Sequence, residues 1–231
     1  MATVYLIPTV LDEKGYATIP VYILDAVKDC SIFFVENART ARRYLKQLWN
    51  EMVIDDYQWF DLQELKGEWP ARFRQQLKEG KNIGIISEAG CPGVADPGQQ
   101  LVAIAQEGNH VVRPLTGPSS ILLALMASGM NGQHFKFIGY LPIDRTERGK
   151  AIREIETEAT KKSCTQIFIE TPYRNNQLIE ALLQQCQPST RLCIAVELTG
   201  EKEWVKTKTI GEWRKEKIDI HKRTAIFVLG S

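Results

Sequence analysis

The chain has 231 residues, 44% of them hydrophobic, enough to bury one large core or two of ordinary size. Its 29 Lys and Arg nearly balance 28 Asp and Glu, and a net charge of +1 excludes a global electrostatic pull towards nucleic acid or an anionic membrane; an RNA partner needs a local basic patch. The five cysteines are odd in number and lack CxxC spacing, and no apolar run could span a bilayer, so neither a disulfide framework, nor a zinc site, nor a membrane anchor is expected.

Met1-Ala2-Thr3 leads straight into a strand rather than a charged leader, which points to a reducing cytoplasm. Thr3 to Ile7 alternates as an apolar strand and stops at Pro8. Helix-like spacing follows over Ile19 to Val27, then a β-rich run at Ser31 to Val35. The next helix, Ala38 to Leu48, carries Arg39, Arg42, Arg43 and Lys46 on its polar side. Trp59 to Phe73 shows no clean period, but Pro70 suits position N1 of a helix running from Ala71 to Lys78 into Gly80.

Ile83-Gly84-Ile85-Ile86 has the profile of a buried strand, and Ser87-Glu88-Ala89-Gly90-Cys91-Pro92-Gly93-Val94-Ala95-Asp96-Pro97-Gly98 follows it directly. Gly90, Gly93 and Gly98 with Pro92 and Pro97 fix a tight backbone path and leave main-chain groups open to a ligand. With a helix over Gln99 to Gln106 behind it, this loop lies at the carboxyl end of a strand, where open α/β sheets bind ligands. Asn109 to Val112 reads as the next strand, then Arg113 to Ser120 as a turn. The small-residue helix Ile121 to Ser128, closed by Gly129, presents free N–H groups at its start.

Asn131-Gly132 is the expected boundary between an N-terminal domain, 1–131, and a C-terminal domain, 132–231. Strand candidates beyond it are Phe135 to Leu141, Gln166 to Glu170, Leu192 to Leu198 and Thr224 to Leu229. Helices at Glu147 to Thr160 and Asn175 to Cys186 separate the first three. The fold class is α/β: two domains, with a mostly parallel N-terminal sheet, a mixed C-terminal sheet and a ligand cleft between them.

Five segments in order resemble the tetrapyrrole (corrin/porphyrin) methylase superfamily of S-adenosylmethionine-dependent methyltransferases. They are Tyr5-Leu6-Ile7-Pro8-Thr9, Ser87 to Gly98, Pro114 to Gly129, Glu170-Thr171-Pro172-Tyr173-Arg174 and Ala195-Val196-Glu197-Leu198-Thr199. Within it the likeness is closest to bacterial enzymes that methylate a ribose 2′-hydroxyl of 16S ribosomal RNA, which share the central loop, the PLTGPSS motif and Phe137 to Pro142. The resemblance implies two α/β domains, a homodimer, ribosomal RNA or the small ribosomal subunit as partner, and S-adenosylmethionine held between the domains. It places Pro8 beside the methionine end, Ala89, Gly90 and Cys91 as loop backbone, and Val94 and Ala95 packing nearby. Ser119 and Ser120 belong to the second loop, Tyr173 and Ala195 to the adenosine side, and Thr224 and Ala225 to the last contact.

The chain departs from that pattern in three places. Val10-Leu11-Asp12-Glu13-Lys14-Gly15-Tyr16 stands where the ribosomal enzymes have a Gly-Asn-Leu turn, Glu36-Asn37-Ala38-Arg39 keeps one carboxylate of an acidic pair, and the sequence stops at its last strand where they carry a further region. The departures keep open a small, tetrapyrrole-like acceptor and a non-catalytic cofactor-binding or regulatory protein on the same fold.

Methyl transfer from a sulfonium is an in-line displacement, so a base for the acceptor proton and alignment of the partners are the chemistry to find. Glu36, Glu197 and then Glu88 are the candidate carboxylates, with Arg39 and Arg174 as forked donors for phosphate or carboxylate. Structural explanations stand beside these: a helix-terminal charge for Glu36, an arginine partner for Glu197, a loop tie for Glu88, and a solvated helix face for Arg39 with Arg42, Arg43 and Lys46. Cys91 reads as a small buried thiol rather than a nucleophile. His110, His134 and His221 lack metal-ligand spacing, so no metal is expected. The five tryptophans suit core or interface better than base stacking.

Overall fold

Alternation along two short strands sets the first layer of structure. Ile32 and Phe34 turn to one face of the sheet with Val4, Ile83 and Ile85, while Phe33 and Val35 turn to the other with Tyr5, Ile7 and Ile86. Both faces are therefore apolar, and both need cover. The computed structural model, which describes residues 2–230, supplies it from the helices between the strands.

The first unit comprises β1 (Thr3–Ile7), α1 (Ile23–Asp29), β2 (Ile32–Val35), α2 (Ala38–Leu48), β3 (Gln58–Asp61), α3 (Trp69–Lys78), β4 (Ile83–Ile86), α4 (Gly98–Glu107) and β5 (Val111–Pro114). Its strands lie in the order β3-β2-β4-β1-β5, every neighbouring pair parallel. Ile23 and Val27 of α1 and Ala41 and Leu45 of α2 fill one face; Phe73 and Leu77 of α3 and Leu101 and Ala105 of α4 fill the other. In β4 only glycine fits at position 84, because a Cβ there would come within 2.6 Å of Phe33 and 2.8 Å of Ile7.

The second unit comprises α5 (Ser120–Ser128), β6 (Phe135–Tyr140), α6 (Arg145–Lys162), β7 (Thr165–Ile169), α7 (Asn175–Gln185), β8 (Arg191–Val196), β9 (Trp204–Thr209), α8 (Ile210–Trp213) and β10 (Ala225–Gly230). The sheet order is β6-β7-β10-β8-β9; β6 and β7 are parallel, and β10 runs antiparallel to both β7 and β8. Phe168, Phe227, Ile194 and Leu229 meet Ile152, Leu178, Leu182 and Trp213 in its core. The Trp213 indole N–H donates to the Leu192 carbonyl at 2.8 Å, which satisfies its one polar atom.

The parallel first sheet and mixed second sheet match the expected fold class. Several boundaries moved. The helix expected over Ile19 to Val27 starts at Ile23 after a 3-10 turn, Gly15–Thr18, and β5 starts at Val111 because Asn109 takes a left-handed conformation (φ 53°) that ends α4. Trp59 to Phe73 resolves into β3 and the start of α3, with Pro70 in its first turn. β9 and α8 were not foreseen. The units divide between Ser119 and Ser120, upstream of the expected 131/132 boundary, because α5 packs on β8, β9 and β10. Thr207 of β9 donates to the Ser128 carbonyl at its end, 2.8 Å away. No helix among the described residues is long and apolar enough to cross a membrane.

Candidate functional site

Because all five strands of the first sheet are parallel, the segments leaving β1, β2, β4 and β5 emerge at one sheet end. Three of them are stitched together there. The Thr9 N–H donates to the Gly90 carbonyl (2.8 Å), and the Thr9 hydroxyl to the Ser87 carbonyl (3.3 Å). The Cys91 thiol lies 3.7 and 3.5 Å from the Gly117 and Pro118 carbonyls. Gly117 is seated on the Pro8 ring so closely that an added Cβ would lie 2.1 Å from the proline Cβ. At Gly90 the φ of +76° and the nearness of Leu11 and the Pro118 carbonyl, each 3.2 Å from an added Cβ, require glycine again. Pro8, Gly90, Cys91 and the 114–118 turn thus form one cradle of backbone and small side chains.

Asp96, which the sequence reading did not single out, organises the loop. Its carboxylate accepts the Gly93 N–H at 2.9 Å and the Gly98 N–H at 2.7 Å, folding residues 93–98 back on themselves with Ala95 left-handed (φ 60°). The Asp-Pro-Gly spelling is the signal that could have found it. Ala89, Val94 and Ala95 are exposed, so the loop presents them outward, and Ser119 and Ser120 are half-buried.

Glu36, half-buried after β2, accepts the Glu88 N–H at 3.0 Å. Burial first, and then the nearby Asp96 and Glu88 charges, push its carboxyl above the ordinary range; the Glu88 N–H opposes this. Glu88 in turn accepts the Thr40 hydroxyl at 2.5 Å. Asn37 is an N-cap: its Oδ1 accepts the Arg39 and Thr40 N–H groups of α2 at 3.0 and 3.2 Å, while Asp61 takes the Ala38 N–H at 2.8 Å. The carboxylate missing from this motif is thus replaced by an amide that closes the helix start. The Arg39 side chain is exposed, but the rest of the basic face is divided. Arg42 lies 5.2 Å over the Trp59 ring, Arg43 is 3.7 Å from Glu13, and Lys46 donates to the Asn50 and Met52 carbonyls. Burial raises the Cys91 thiol, in keeping with a packed rather than a nucleophilic cysteine.

In the second unit, the ends of β7 and β8 and the start of β10 meet at one sheet end, bringing Glu170, Glu197 and Thr224 together. Glu197 pairs with Arg223 at 2.6 Å, which holds its carboxyl below the ordinary range; its backbone is left-handed (φ 48°) and donates to the Thr224 carbonyl. Arg174 is committed to the buried Glu170, also at 2.6 Å. Beside this pair, Glu170 Oε2 and Asn175 Oδ1 are buried without a hydrogen-bond partner among the described residues. Tyr173 is exposed, its ring edge-on to His221, whereas Ala195 is 1% exposed inside β8 and presents no surface. Thr224 is exposed and Ala225 buried at the β10 start.

Comparison with known proteins gives this arrangement a lineage. The chain is 34% identical over 157 residues to "Ribosomal RNA small subunit methyltransferase I" of Escherichia coli O157:H7, covering 67% of this chain and 53% of that one. It is 28% identical over 219 residues to the protein of that name in Bacillus subtilis strain 168, covering 94% and 71%. A third, from Micromonospora olivasterospora, is 32% identical over 175 residues, covering 74% and 52%. The chain spans about half the length of the first and third of these. Among solved structures, diphthine synthase has the same fold with a TM-score of 0.70 at 14% identity, covering 100% of this chain and 90% of that one. A uroporphyrin-III C-methyl transferase from Thermus thermophilus, complexed with S-adenyl homocysteine, matches with a TM-score of 0.55 at 15% identity, covering 100% and 98%. The family model of the Tetrapyrrole (Corrin/Porphyrin) Methylases matches residues 5–213, and the chain belongs to that family.

Proposed function

We propose that this protein is an S-adenosylmethionine-dependent methyltransferase that modifies a ribose 2′-hydroxyl of ribosomal RNA. The observation that carries the reading is the backbone cradle of Pro8, Gly90 and Gly117, packed so tightly that a Cβ added at Gly117 would lie 2.1 Å from the Pro8 Cβ. Such a site suits a cofactor bearing a carboxylate, an ammonium and a sulfonium, because backbone N–H and C=O groups serve both signs of charge. The names of the curated relatives support the RNA acceptor.

When bound, the cofactor supplies an electrophilic methyl group. Pro8, Ala89, Gly90, Cys91, Val94, Ala95, Ser119 and Ser120 would hold it, and Tyr173, Ala195, Thr224 and Ala225 are proposed as further contacts; the buried Ala195 would act by packing. Glu36 is the proposed general base: its raised carboxyl favours accepting the hydroxyl proton, and the Glu88 N–H orients it. Arg39, exposed at the start of α2, would orient a phosphate. Glu197, kept ionised by Arg223, serves better as a fixed charge than as a base. The exposed Tyr140, at the end of edge strand β6, and Ile143 just after it support a homodimer, and a ribosomal substrate supports a cytoplasmic location.

Calorimetry with S-adenosylmethionine and S-adenosylhomocysteine, followed by labelled methyl transfer to 30S subunits, tests this reading. Saturable binding of both is expected, with a fall of roughly 100-fold or more in turnover for Glu36→Gln. Failure to bind either overturns it, and binding without transfer to 30S subunits moves the acceptor to a small molecule.

A further inference from the structure

A cavity of about 550 Å³ opens in the first unit beside the 87–98 loop, within the range of small-ligand sites. The Val10 to Tyr16 segment forms one wall, Thr40, Arg43, Tyr44 and Gln47 of α2 the second, and Ser87 to Ala89 the third. The first wall is a built turn: Asp12 accepts the Gly15 N–H with its carbonyl (2.8 Å) and the Lys14 N–H with its carboxylate (2.9 Å). The Thr18 hydroxyl then closes on the Gly15 carbonyl at 2.7 Å. Behind the turn the Tyr16 ring stacks on Tyr44, centroids 5.9 Å apart and planes 23° from parallel. Tyr44 is itself anchored by its hydroxyl, which donates to the Pro8 carbonyl at 2.7 Å.

The lining carries an aromatic pair, a side-chain amide, a guanidinium, and three carboxylates (Asp12, Glu13 and Glu88) against two cations (Lys14 and Arg43). A polycarboxylated macrocycle would meet net repulsion there. A nucleotide meets far less, since it brings a single phosphate, which Arg43 can take directly, and a flat base whose N–H groups the carboxylates and Gln47 can accept. Arg43 is 70% exposed and its contact with Glu13 is a loose surface pair, so its forked donors can exchange that partner for a phosphate.

We propose that this cavity binds one nucleotide of the acceptor RNA, with the base against the Tyr16 side and the phosphate on Arg43, directly beside the 87–89 stretch of the cofactor loop. The proposal rests on the RNA methyltransferase reading for its acceptor, but its binding chemistry is tested separately.

In the first arm, adenosine, cytidine, guanosine and uridine 5′-monophosphates are each titrated into the 231-residue chain and followed by amide NMR. Shifts are expected to concentrate at residues 10–16, 40–47 and 87–89. Removing the 5′-phosphate should weaken binding at least fivefold in the unaltered chain and by less than twofold in Arg43→Ala. Because Arg43 and Gln47 are on the surface, Arg43→Ala and Gln47→Ala should keep the remaining spectrum unchanged. No shifts in these segments, binding that ignores Arg43, or a polycarboxylated porphyrin displacing the nucleotides would overturn the proposal. In the second arm, Arg43→Ala should act on KM for 30S subunits rather than on kcat; an unaltered KM would contradict it. If the unaltered chain fails to methylate 30S subunits, the functional reading falls while the nucleotide titrations still decide the cavity.

Discussion

The two units handle polar groups at their sheet ends in opposite ways. In the first, parallel strands send every loop to one end, and the groups gathered there are backbone amides and carbonyls, glycines, and the half-buried carboxyls Glu36 and Asp96, both raised by burial. In the second, β10 returns antiparallel between β7 and β8, and the carboxylates meeting at the comparable end are each tied to an arginine, Glu170 to Arg174 and Glu197 to Arg223. Among the described residues, the first arrangement leaves Glu36 and Asp96 held by backbone N–H groups rather than by a fixed cation. The second neutralises charge locally, which suits support more than proton transfer.

The largest expected effect lies in the second unit. Arg174→Ala strands a fully buried Glu170 carboxylate and should cost about 3–5 kcal/mol in urea unfolding, whereas Arg223→Ala, at a pair about one-quarter exposed, should cost no more than about 1 kcal/mol. Equal costs would break the distinction between a buried and a peripheral pair. Next comes Gly117→Ala in the first unit, which must displace the rigid Pro8 ring and should destabilise by about 1–3 kcal/mol while abolishing cofactor binding. Its counterpart, Gly230→Ala, meets the flexible end of Met130 and should cost a fraction of that.

Asn37→Ala should remove about 1 kcal/mol by freeing the Arg39 and Thr40 N–H groups, measured by thermal unfolding of the full chain. The smallest effect is also the most direct comparison of the units. A raised carboxyl such as Glu36 contributes stability below the ordinary carboxyl pKa and loses it as pH rises through its folded value. The lowered Glu197 contributes above the ordinary value and loses it as pH falls through its folded value. Side-chain carboxyl NMR should therefore show Glu36 titrating above, and Glu197 below, an unperturbed glutamate, and Glu36→Gln should flatten the loss of stability with rising pH. The same order of titration in both would erase the contrast.

Much of this was legible in the sequence where local chemistry decides the structure. The glycines and prolines of 87–98 demand a tight loop whatever surrounds them, and the apolar runs of β2 and β4 could only be buried strands. What depended on tertiary partners was harder to read. Trp204–Thr209 alternates lysines into an edge strand, a pattern that a solvated loop shares. The helical spacing of Ser120–Ser128 carries no sign of which sheet it packs on, and the two units divide at its start rather than at 131/132. Among the proposed site residues, Glu36 and Gly90 follow from motif position. The work of Asp96 emerges only when its loop closes, and the burial of Ala195 follows from a strand pairing that its small side chain does not announce.

The loops leaving β1, β4 and β5 are the proposed cofactor cradle. Titrating S-adenosylhomocysteine into the isotope-labelled 231-residue chain tests it most directly: amides of Thr9, Ala89 to Cys91, Gly93 to Ala95, Thr116, Gly117 and Ser119 should shift together and saturate with one affinity. Saturating ligand that leaves these amides unmoved would contradict the account.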